Sequence, residues 1–126
     1  MDSRKLAKLC RDLAENRKAE DVAVLDVRKI SDITDFLVIA TGTSEPHLRA
    51  IRDEIMDKLR DEHDERPRAE DGTIYTAWVV LDYFDVIVHI MLREVRERYD
   101  LESLWGDAPR VKPPKRRTAT AAATSK

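Results

Sequence analysis

The turn TGTSEP, from Thr41 to Pro46, is the part of this chain that comes nearest to a known ligand-binding pattern. A Gly-Thr-Ser turn leading into a helix presents backbone N–H groups and the positive end of the helix dipole, which favour an anion such as phosphate. Neither GxxxxGK[ST] nor GxGxxG is present, however, and Glu45 would repel an anion. Ser44 suits an N-cap and Pro46 a first helical turn. Simple capping is therefore the favoured interpretation, and an anion site is the alternative.

The histidines and the single cysteine do not have the spacing of a metal site. His47 lies at a helix start, His63 in a charged segment and His89 in an apolar run, and the chain has neither an HExxH motif nor a second cysteine. We expect structural or interface histidines, with no metal and no cofactor. Cys10 lies among leucines at helical spacing, which predicts a buried structural thiol.

Carboxylates are abundant, but none is paired in a way that predicts catalysis. Nucleotidyl transfer needs carboxylates side by side on a strand to hold Mg²⁺, whereas Asp26 and Asp35 stand apart. Asp82 and Asp85 bracket a turn, where aspartate is common for conformational reasons; contact with a basic partner is the other possibility. No nucleophile, base and orienting group can be assembled, so the chain is predicted not to be an enzyme.

A β-hairpin carries most of the aromatic side chains. Two short runs rich in Val and Ile are separated by Tyr83 and Phe84, a hairpin pattern with an unusual aromatic turn. A two-residue turn at these positions sets Asp82 opposite Asp85, Val80 opposite Ile87 and Trp78 opposite His89. One face is then wholly aliphatic and needs a core: Ala77, Val79, Leu81, Val86, Val88 and Ile90.

The other hairpin face is mixed and needs either helices or a partner. It carries Trp78, Val80, Ile87 and His89. Because binding energy at interfaces concentrates in Trp, Tyr and Arg, Trp78 is either a core residue or an anchor for a partner protein. Two aromatics at a turn tip cannot easily both be buried, so we expect Tyr83 or Phe84 to be exposed.

The order of predicted elements is α-β-β-α-β-β-α, which indicates an α/β fold with a small mixed β-sheet and flanking helices. Strand two, helix two and strand three should form a right-handed parallel crossover. The predicted segments are a helix over 3–18 capped by Ser3, strands over 22–27 and 36–41, a helix from Ser44 to near Asp61, a charged loop over 61–72, the hairpin, a helical turn over 93–98 and a short helix after Asp100.

Length and charge predict one domain with a tail. The chain has 126 residues, of which 38% are charged. Residues 1–106 carry 17 Lys or Arg and 24 Asp or Glu, a net charge of −7, whereas residues 107–126 carry +5. We expect a folded domain over 1–107 and a disordered basic tail over 108–126 that makes weak, salt-sensitive contacts with RNA. Neither a transmembrane helix nor a secretory signal is expected, and a cytoplasmic location is the simplest interpretation.

Three stretches in combination resemble the ribosomal silencing factor family, also called the Iojap-like family. They are SDITDFLVIATGTSEPHLRAI, WVVLDYFDVIVHIM and YDLESLWGD, within about Val22 to Asp107. The resemblance implies a fold similar to that of nucleotidyltransferases but without catalytic residues, and frequently a homodimer. It also implies binding to ribosomal protein number fourteen of the large subunit, which blocks association with the small subunit and represses translation under nutrient limitation.

The family's partner surface corresponds here to the hairpin, so the expected partner-binding residues are Trp78, Asp82, Tyr83 and the neighbouring Phe84, with the YDLESLW end nearby. The family usually has Gly at the position of Phe84. The acidic body suits a basic ribosomal protein, because opposite charges raise the rate of encounter. The competing hypotheses are a nucleotidyltransferase-like enzyme that uses the Thr41–Ser44 turn and a plain RNA-binding module; the acidic body disfavours the latter.

Overall fold

A computed structural model describes residues 1–73 and 77–111, without the side chains of residues 72 and 73. Four helices and five strands follow one another along this part of the chain. They are α1 (Ser3–Asn16), β1 (Glu20–Asp26), β2 (Phe36–Gly42), α2 (Glu45–His63), β3 (Ala69–Thr73), β4 (Trp78–Asp82), β5 (Val86–Leu92), α3 (Arg93–Tyr99) and α4 (Leu101–Leu104).

The five strands form one mixed sheet in the order β1-β2-β5-β4-β3. Only β2 and β5 are parallel; the other neighbours are antiparallel. The predicted α/β class with a mixed sheet is confirmed. The predicted pairing of β2 with the first hairpin strand is wrong, because β2 lies beside β5. β5 is the central strand, with β2 on one side and β4 on the other. Both β2 and β5 are mainly apolar on both faces, whereas β4 ends in an acidic residue.

The strand β3 falls where a charged loop was predicted. The helix α2 continues to His63, and residues 69–73 then pair with β4 at the edge of the sheet. Ala69, Glu70 and Asp71 are exposed to solvent. An edge strand in solvent needs no apolar alternation, so its sequence AEDGT carries no strand signal.

The first face of the sheet is covered by α1 and α2, and it holds the larger core. Side chains on alternate positions of β2, β4 and β5 pack against the apolar stripes of both helices. The thiol of Cys10 is fully buried there, as predicted, and burial raises its pKa to about 12. The aliphatic hairpin face that was predicted to need a core is this one: Val79, Leu81, Val86, Val88 and Ile90 are all buried, and Ala77 is half-buried against the same core.

The second face is covered only in part. Leu25, Val27, Leu37, Ile39 and Met91 are buried beneath residues of α3, α4 and the segment that follows them: Val95, Leu101, Trp105 and Ala108. This layer lies over the β1 and β2 side of the sheet. Apart from Met91, the apolar and histidine positions of β4 and β5 that project from the same face are only half-buried: Trp78, Val80, Ile87 and His89.

The chain continues past α4 and pairs with the outer edge of β1. The Asp26 N–H donates to the Pro109 carbonyl at 2.8 Å, and the Val111 N–H donates to the Val24 carbonyl at 2.8 Å. The predicted tail therefore starts too early, since residues 109–111 belong to the folded body. The prediction for residues 112–126 lies outside the described residues.

The hairpin turn contains two residues, as predicted, but it is shifted by one position. The Tyr83 N–H donates to the Val86 carbonyl at 2.8 Å, so the turn residues are Phe84 and Asp85. Trp78 is paired with Met91, Val80 with His89 and Asp82 with Ile87. The predicted pairs were therefore wrong by two residues. The predicted faces were correct, because a shift of two preserves the alternation of side chains.

The two long helices begin with side-chain caps. The Asp2 carboxylate accepts a hydrogen bond from the Lys5 N–H at 2.8 Å, so α1 is capped by Asp2 and not by the predicted Ser3. The Ser44 hydroxyl accepts from the His47 N–H at 3.2 Å, which confirms the predicted cap of α2.

Candidate partner-binding face

The half-exposed part of the second face forms the candidate site, and we call it the β4–β5 face. It consists of Trp78 and Val80 on β4 and Ile87 and His89 on β5. A sheet face that is apolar yet left half open by its helices resembles an interface more than a solvated surface.

Trp78 lies at the centre of the aromatic contacts on this face. Its indole Nε1–H donates to His89 Nδ1 at 3.0 Å, and the two ring centroids are 5.9 Å apart. The Tyr99 ring also packs against Trp78, with the ring centroids 5.0 Å apart and the planes tilted by 47°. Tyr99 is 52% exposed. The three rings thus present an aromatic surface that is partly fixed before any partner arrives.

The protonation state of His89 is set by this arrangement. Nδ1 accepts the indole hydrogen bond, so it carries no proton, and the ring is neutral with its hydrogen on Nε2. Burial lowers the pKa of His89 from 6.5 to about 4, because a charged imidazolium would be poorly solvated. The expectation of a structural or interface histidine agrees with this placement.

Asp82 lies at the turn end of the β4–β5 face, where its carboxylate has two partners. Oδ1 accepts from the Phe84 N–H at 2.8 Å, and Oδ2 accepts from Arg68 Nε at 3.1 Å. The first bond is an aspartate turn that stabilises the hairpin. Asp85 is exposed. The geometry of Asp82 therefore agrees with the turn interpretation, and its half-buried carboxylate also lies at the rim of the face.

The two aromatic residues of the turn have opposite environments. Phe84 is 56% exposed at the tip, with the Arg68 guanidinium 4.6 Å from its ring centroid. Its φ of 75° is in the left-handed region, which explains why glycine suits this position. Tyr83 is only 6% exposed and belongs to the α1–α2 core. The sequence places the Tyr83 ring at the surface, in the turn. The ring is buried instead, because the turn is shifted by one residue and Tyr83 is the last paired position before it.

The structure therefore brings two of the four predicted residues to one face. Trp78 and Asp82 project from the same face at opposite ends of β4, Phe84 extends from the tip, and Tyr83 points into the core. Sequence reasoning gave no role to Tyr99, which completes the aromatic surface from α3. The only sequence signal for Tyr99 was its place at the start of the YDLESLW stretch.

The polar groups of the Thr41–Ser44 turn are engaged by the start of α2, although Thr43 and Ser44 themselves are exposed to solvent. The Thr43 N–H donates to His47 Nδ1 at 2.9 Å, and the Ser44 hydroxyl caps α2. A Cβ on Gly42 would lie 2.6 Å from Leu48 Cδ2, so this glycine permits close helix packing. The adjacent depression of about 310 Å³ is lined by three glutamates, which disfavour an anion: Glu20, Glu94 and Glu97. Arg93 also lines it, but its guanidinium is already paired with Glu20 and Asp21.

Two further classes of site were considered over residues 1–73 and 77–111. No group of three or more His, Cys, Asp or Glu side chains there is placed to hold a metal ion. Within the same ranges, no helix combines the length and the apolar character needed to cross a membrane.

Comparison with known proteins agrees with the motifs. The family model described as "Ribosomal silencing factor during starvation" matches residues 1–126. The ribosomal silencing factor RsfS of Halalkalibacterium halodurans is 38% identical over 111 residues, which is 88% of this chain and 94% of that protein. A mouse protein named "Mitochondrial assembly of ribosomal large subunit protein 1" is 33% identical over 96 residues, which is 74% of this chain but 42% of the mouse protein.

The fold has close counterparts among solved structures. A crystal structure of protein CV0518 from Chromobacterium violaceum superposes with a TM-score of 0.79 at 31% identity, covering 90% of this chain and 91% of that one. The match of the family model over the whole chain, the identity to RsfS proteins and the shared fold lead to one conclusion: the chain belongs to the ribosomal silencing factor (RsfS) family.

Proposed function

We propose that this protein binds the large ribosomal subunit through ribosomal protein number fourteen, and that it does so with the β4–β5 face. The observation that carries the proposal is the aromatic surface of Trp78, His89 and Tyr99, which is apolar, ordered and half open to solvent. Buried Trp and Tyr side chains supply much of the binding energy at protein interfaces. Family membership supports a ribosomal partner, and the name of the mouse relative refers to the large subunit.

The charge of the folded body supports the same partner. Residues 1–106 carry a net charge of −7, and a ribosomal protein that contacts RNA is basic. Complementary charge speeds the encounter and orients it. Asp82 lies at the rim of the face and is the carboxylate best placed to meet a cation of the partner.

The mechanism we propose is steric occlusion. A folded body bound on the side of the large subunit that faces the small subunit occupies the space that the small subunit needs. Repression of translation under nutrient limitation then requires no chemical step by this chain, only affinity and position. The basic residues of 112–126 add weak contacts with ribosomal RNA.

The competing hypothesis of a nucleotidyltransferase-like enzyme has less support. The hydrogen bonds of Thr43 and Ser44 already satisfy the turn that would bind phosphate. Three glutamates line the adjacent depression, and the one arginine among its lining residues is already paired with Glu20 and Asp21. We therefore predict no intrinsic catalysis. Nucleotide with Mg²⁺ should not raise the melting temperature, whereas a site filled at 100 times its Kd would add about 2.7 kcal/mol.

The homodimer that the resemblance implies is a second part of the proposal. A second copy and the ribosome would compete if both used the β4–β5 face. Analytical ultracentrifugation of the wild-type protein and of Trp78→Ala distinguishes the cases, because only a dimer formed through this face is weakened by the substitution.

Co-sedimentation with purified subunits tests the proposed partner. The protein should pellet with large subunits and not with small ones. Isolated ribosomal protein number fourteen, added in excess, should compete for the protein and release it from the pellet. Pelleting with both subunits alike, or no effect of the isolated ribosomal protein, would contradict the proposed docking.

A further inference from the structure

We infer that Arg96 is a positioning residue for the β4–β5 face: it fixes α3, and with it the Tyr99 ring against Trp78, although its own side chain is buried. The inference rests on the proposed function for its effect on binding, but its structural part can be measured on the protein alone.

Arg96 connects four elements of the fold. It is 7% exposed and lies on α3, and its Nη1 donates to the Asp21 carbonyl on β1 at 2.6 Å and to Thr41 Oγ1 on β2 at 2.8 Å. Nε and Nη2 donate to the two carboxylate oxygens of Glu102 on α4 at 3.0 and 3.1 Å. This bidentate geometry fixes both the distance and the angle between the groups.

The contacts of Arg96 lie beside the aromatic surface in sequence and in space. Tyr99 follows Arg96 by three residues, at the end of the same seven-residue helix, and packs on Trp78. The Arg96 carbonyl also accepts the Asp100 N–H at 2.9 Å, which closes α3 directly after Tyr99. Movement of α3 would therefore separate the Tyr99 and Trp78 rings.

A second cation extends the network to the C-terminal segment. Arg110 Nη2 donates to Glu102 Oε2 at 2.7 Å, in the segment that pairs with the edge of β1. The hydrogen bonds of Arg96 and then of Arg110 hold the pKa of Glu102 below its usual value. The carboxylate is thus shared by two arginines that approach from α3 and from the segment after α4.

An ion pair that buries an arginine against a half-buried glutamate is a costly way to gain stability alone. Desolvation offsets much of the attraction, and apolar residues of similar volume can be as stable. What an arginine with a bidentate partner adds is a defined geometry, because its donors are planar and rigid. The bidentate pair therefore indicates that Arg96 orients α3. Arg98, an exposed arginine of the same helix, does not share this role.

The test uses a Trp105→Phe background, which leaves Trp78 as the single tryptophan. Arg96→Met is compared with Arg98→Met, which removes the same charge from the same helix. We expect folded Arg96→Met to show a shifted Trp78 emission, stronger acrylamide quenching and about tenfold weaker binding to purified large subunits. Arg98→Met should keep the emission and quenching of the background. Glu102→Gln should give smaller changes in the same direction, and it provides the test if Arg96→Met does not fold.

The outcomes separate the two proposals. Unchanged emission and quenching in folded Arg96→Met would overturn the inference, even if binding fell. Changed fluorescence with unchanged binding would overturn its functional part. Failure of the unmodified background protein to sediment with large subunits would contradict the proposed function instead, and the fluorescence comparison would still decide whether Arg96 positions Tyr99.

Discussion

The indole of Trp78 donates a hydrogen bond to His89 Nδ1 across the β4–β5 hairpin, at 3.0 Å. The two residues are not directly opposite, because Trp78 pairs with Met91 and His89 with Val80. The bond is therefore diagonal, and it orients the indole ring that also packs against the Tyr99 ring, 5.0 Å away. One neutral histidine thus contributes to the shape of the candidate partner-binding face.

The stability of the protein should depend on pH through His89. Its pKa in the folded state, about 4, is below the 6.5 of a free histidine, so the unfolded state binds more protons between these values. Stability is then fully present above pH 6.5 and falls as the pH approaches 4, with a loss of about 2 kcal/mol near pH 5. Urea unfolding across this range measures the loss.

The matched control is His89→Gln, which keeps an acceptor but cannot titrate. The difference between the two stability curves should open below pH 6.5, while the contribution of Glu102 is lost only below its ordinary value of 4.5. Curves that stay parallel from pH 7 to 5 would contradict the role of His89.

Tyr83 provides a test of the shifted turn. Its hydroxyl is buried and has no hydrogen-bond partner among the described residues, and burial raises its pKa. Tyr83→Phe removes the unsatisfied hydroxyl, so it should be neutral or stabilising by up to about 1 kcal/mol. Tyr83→Ala should destabilise by roughly 3–5 kcal/mol through the cavity that it leaves. Chemical denaturation of both variants gives the two values; a Tyr83→Ala variant as stable as wild type would place this ring outside the core.

Phe84 tests the backbone of the turn. Its φ of 75° disfavours any residue with a Cβ. The comparison of Phe84→Gly with Phe84→Ala removes the ring and the Arg68 contact from both variants, so only the backbone preference differs. Phe84→Gly should be the more stable by about 1 kcal/mol in urea unfolding. Greater stability of the alanine variant would show that the turn does not have this conformation.

Two truncations test the segment that follows α4. A chain that ends after Val111 retains the hydrogen bonds to β1 and the Arg110–Glu102 ion pair, whereas one that ends after Asp107 loses them. The shorter chain should be less stable by about 1–3 kcal/mol. Differential scanning calorimetry of the two proteins measures this difference in stability. Equal melting temperatures would support the domain boundary that the sequence predicts at residue 107.

The elements that could be predicted from the sequence are those whose burial leaves a pattern. The strand β2 is apolar at nearly every position because both of its faces are covered, and the faces of the hairpin follow from alternation even when the register is wrong. The strand β3 left no pattern, because Ala69, Glu70 and Asp71 are exposed at the edge of the sheet. The pairing of β2 with β5 could not be predicted, because β4 and β5 are both apolar enough to lie beside β2 and no local sequence signal distinguishes between them.

Individual residues of the candidate site could be predicted from the sequence, but the contacts between them could not. Trp78 could be recognised from its side-chain chemistry and its place on the mixed face. The contact of Tyr99 with Trp78 could not, since it depends on the course of α3, which Arg96 fixes through partners 75, 55 and 6 residues away in the chain. Contacts of that range are set by the whole fold.

The most direct test of the central claim is the joining of purified subunits, followed by light scattering, in the presence of wild-type protein, Trp78→Ala or Val88→Ala. Wild type should block joining. Trp78→Ala should remain folded yet bind more weakly by about 2 kcal/mol, and so require roughly thirtyfold more protein for the same block. Val88→Ala lies in the α1–α2 core and should lose roughly 1–3 kcal/mol of stability while blocking normally wherever it is folded. A folded Trp78→Ala that blocks joining as well as wild type would contradict the proposal that the β4–β5 face binds the large subunit.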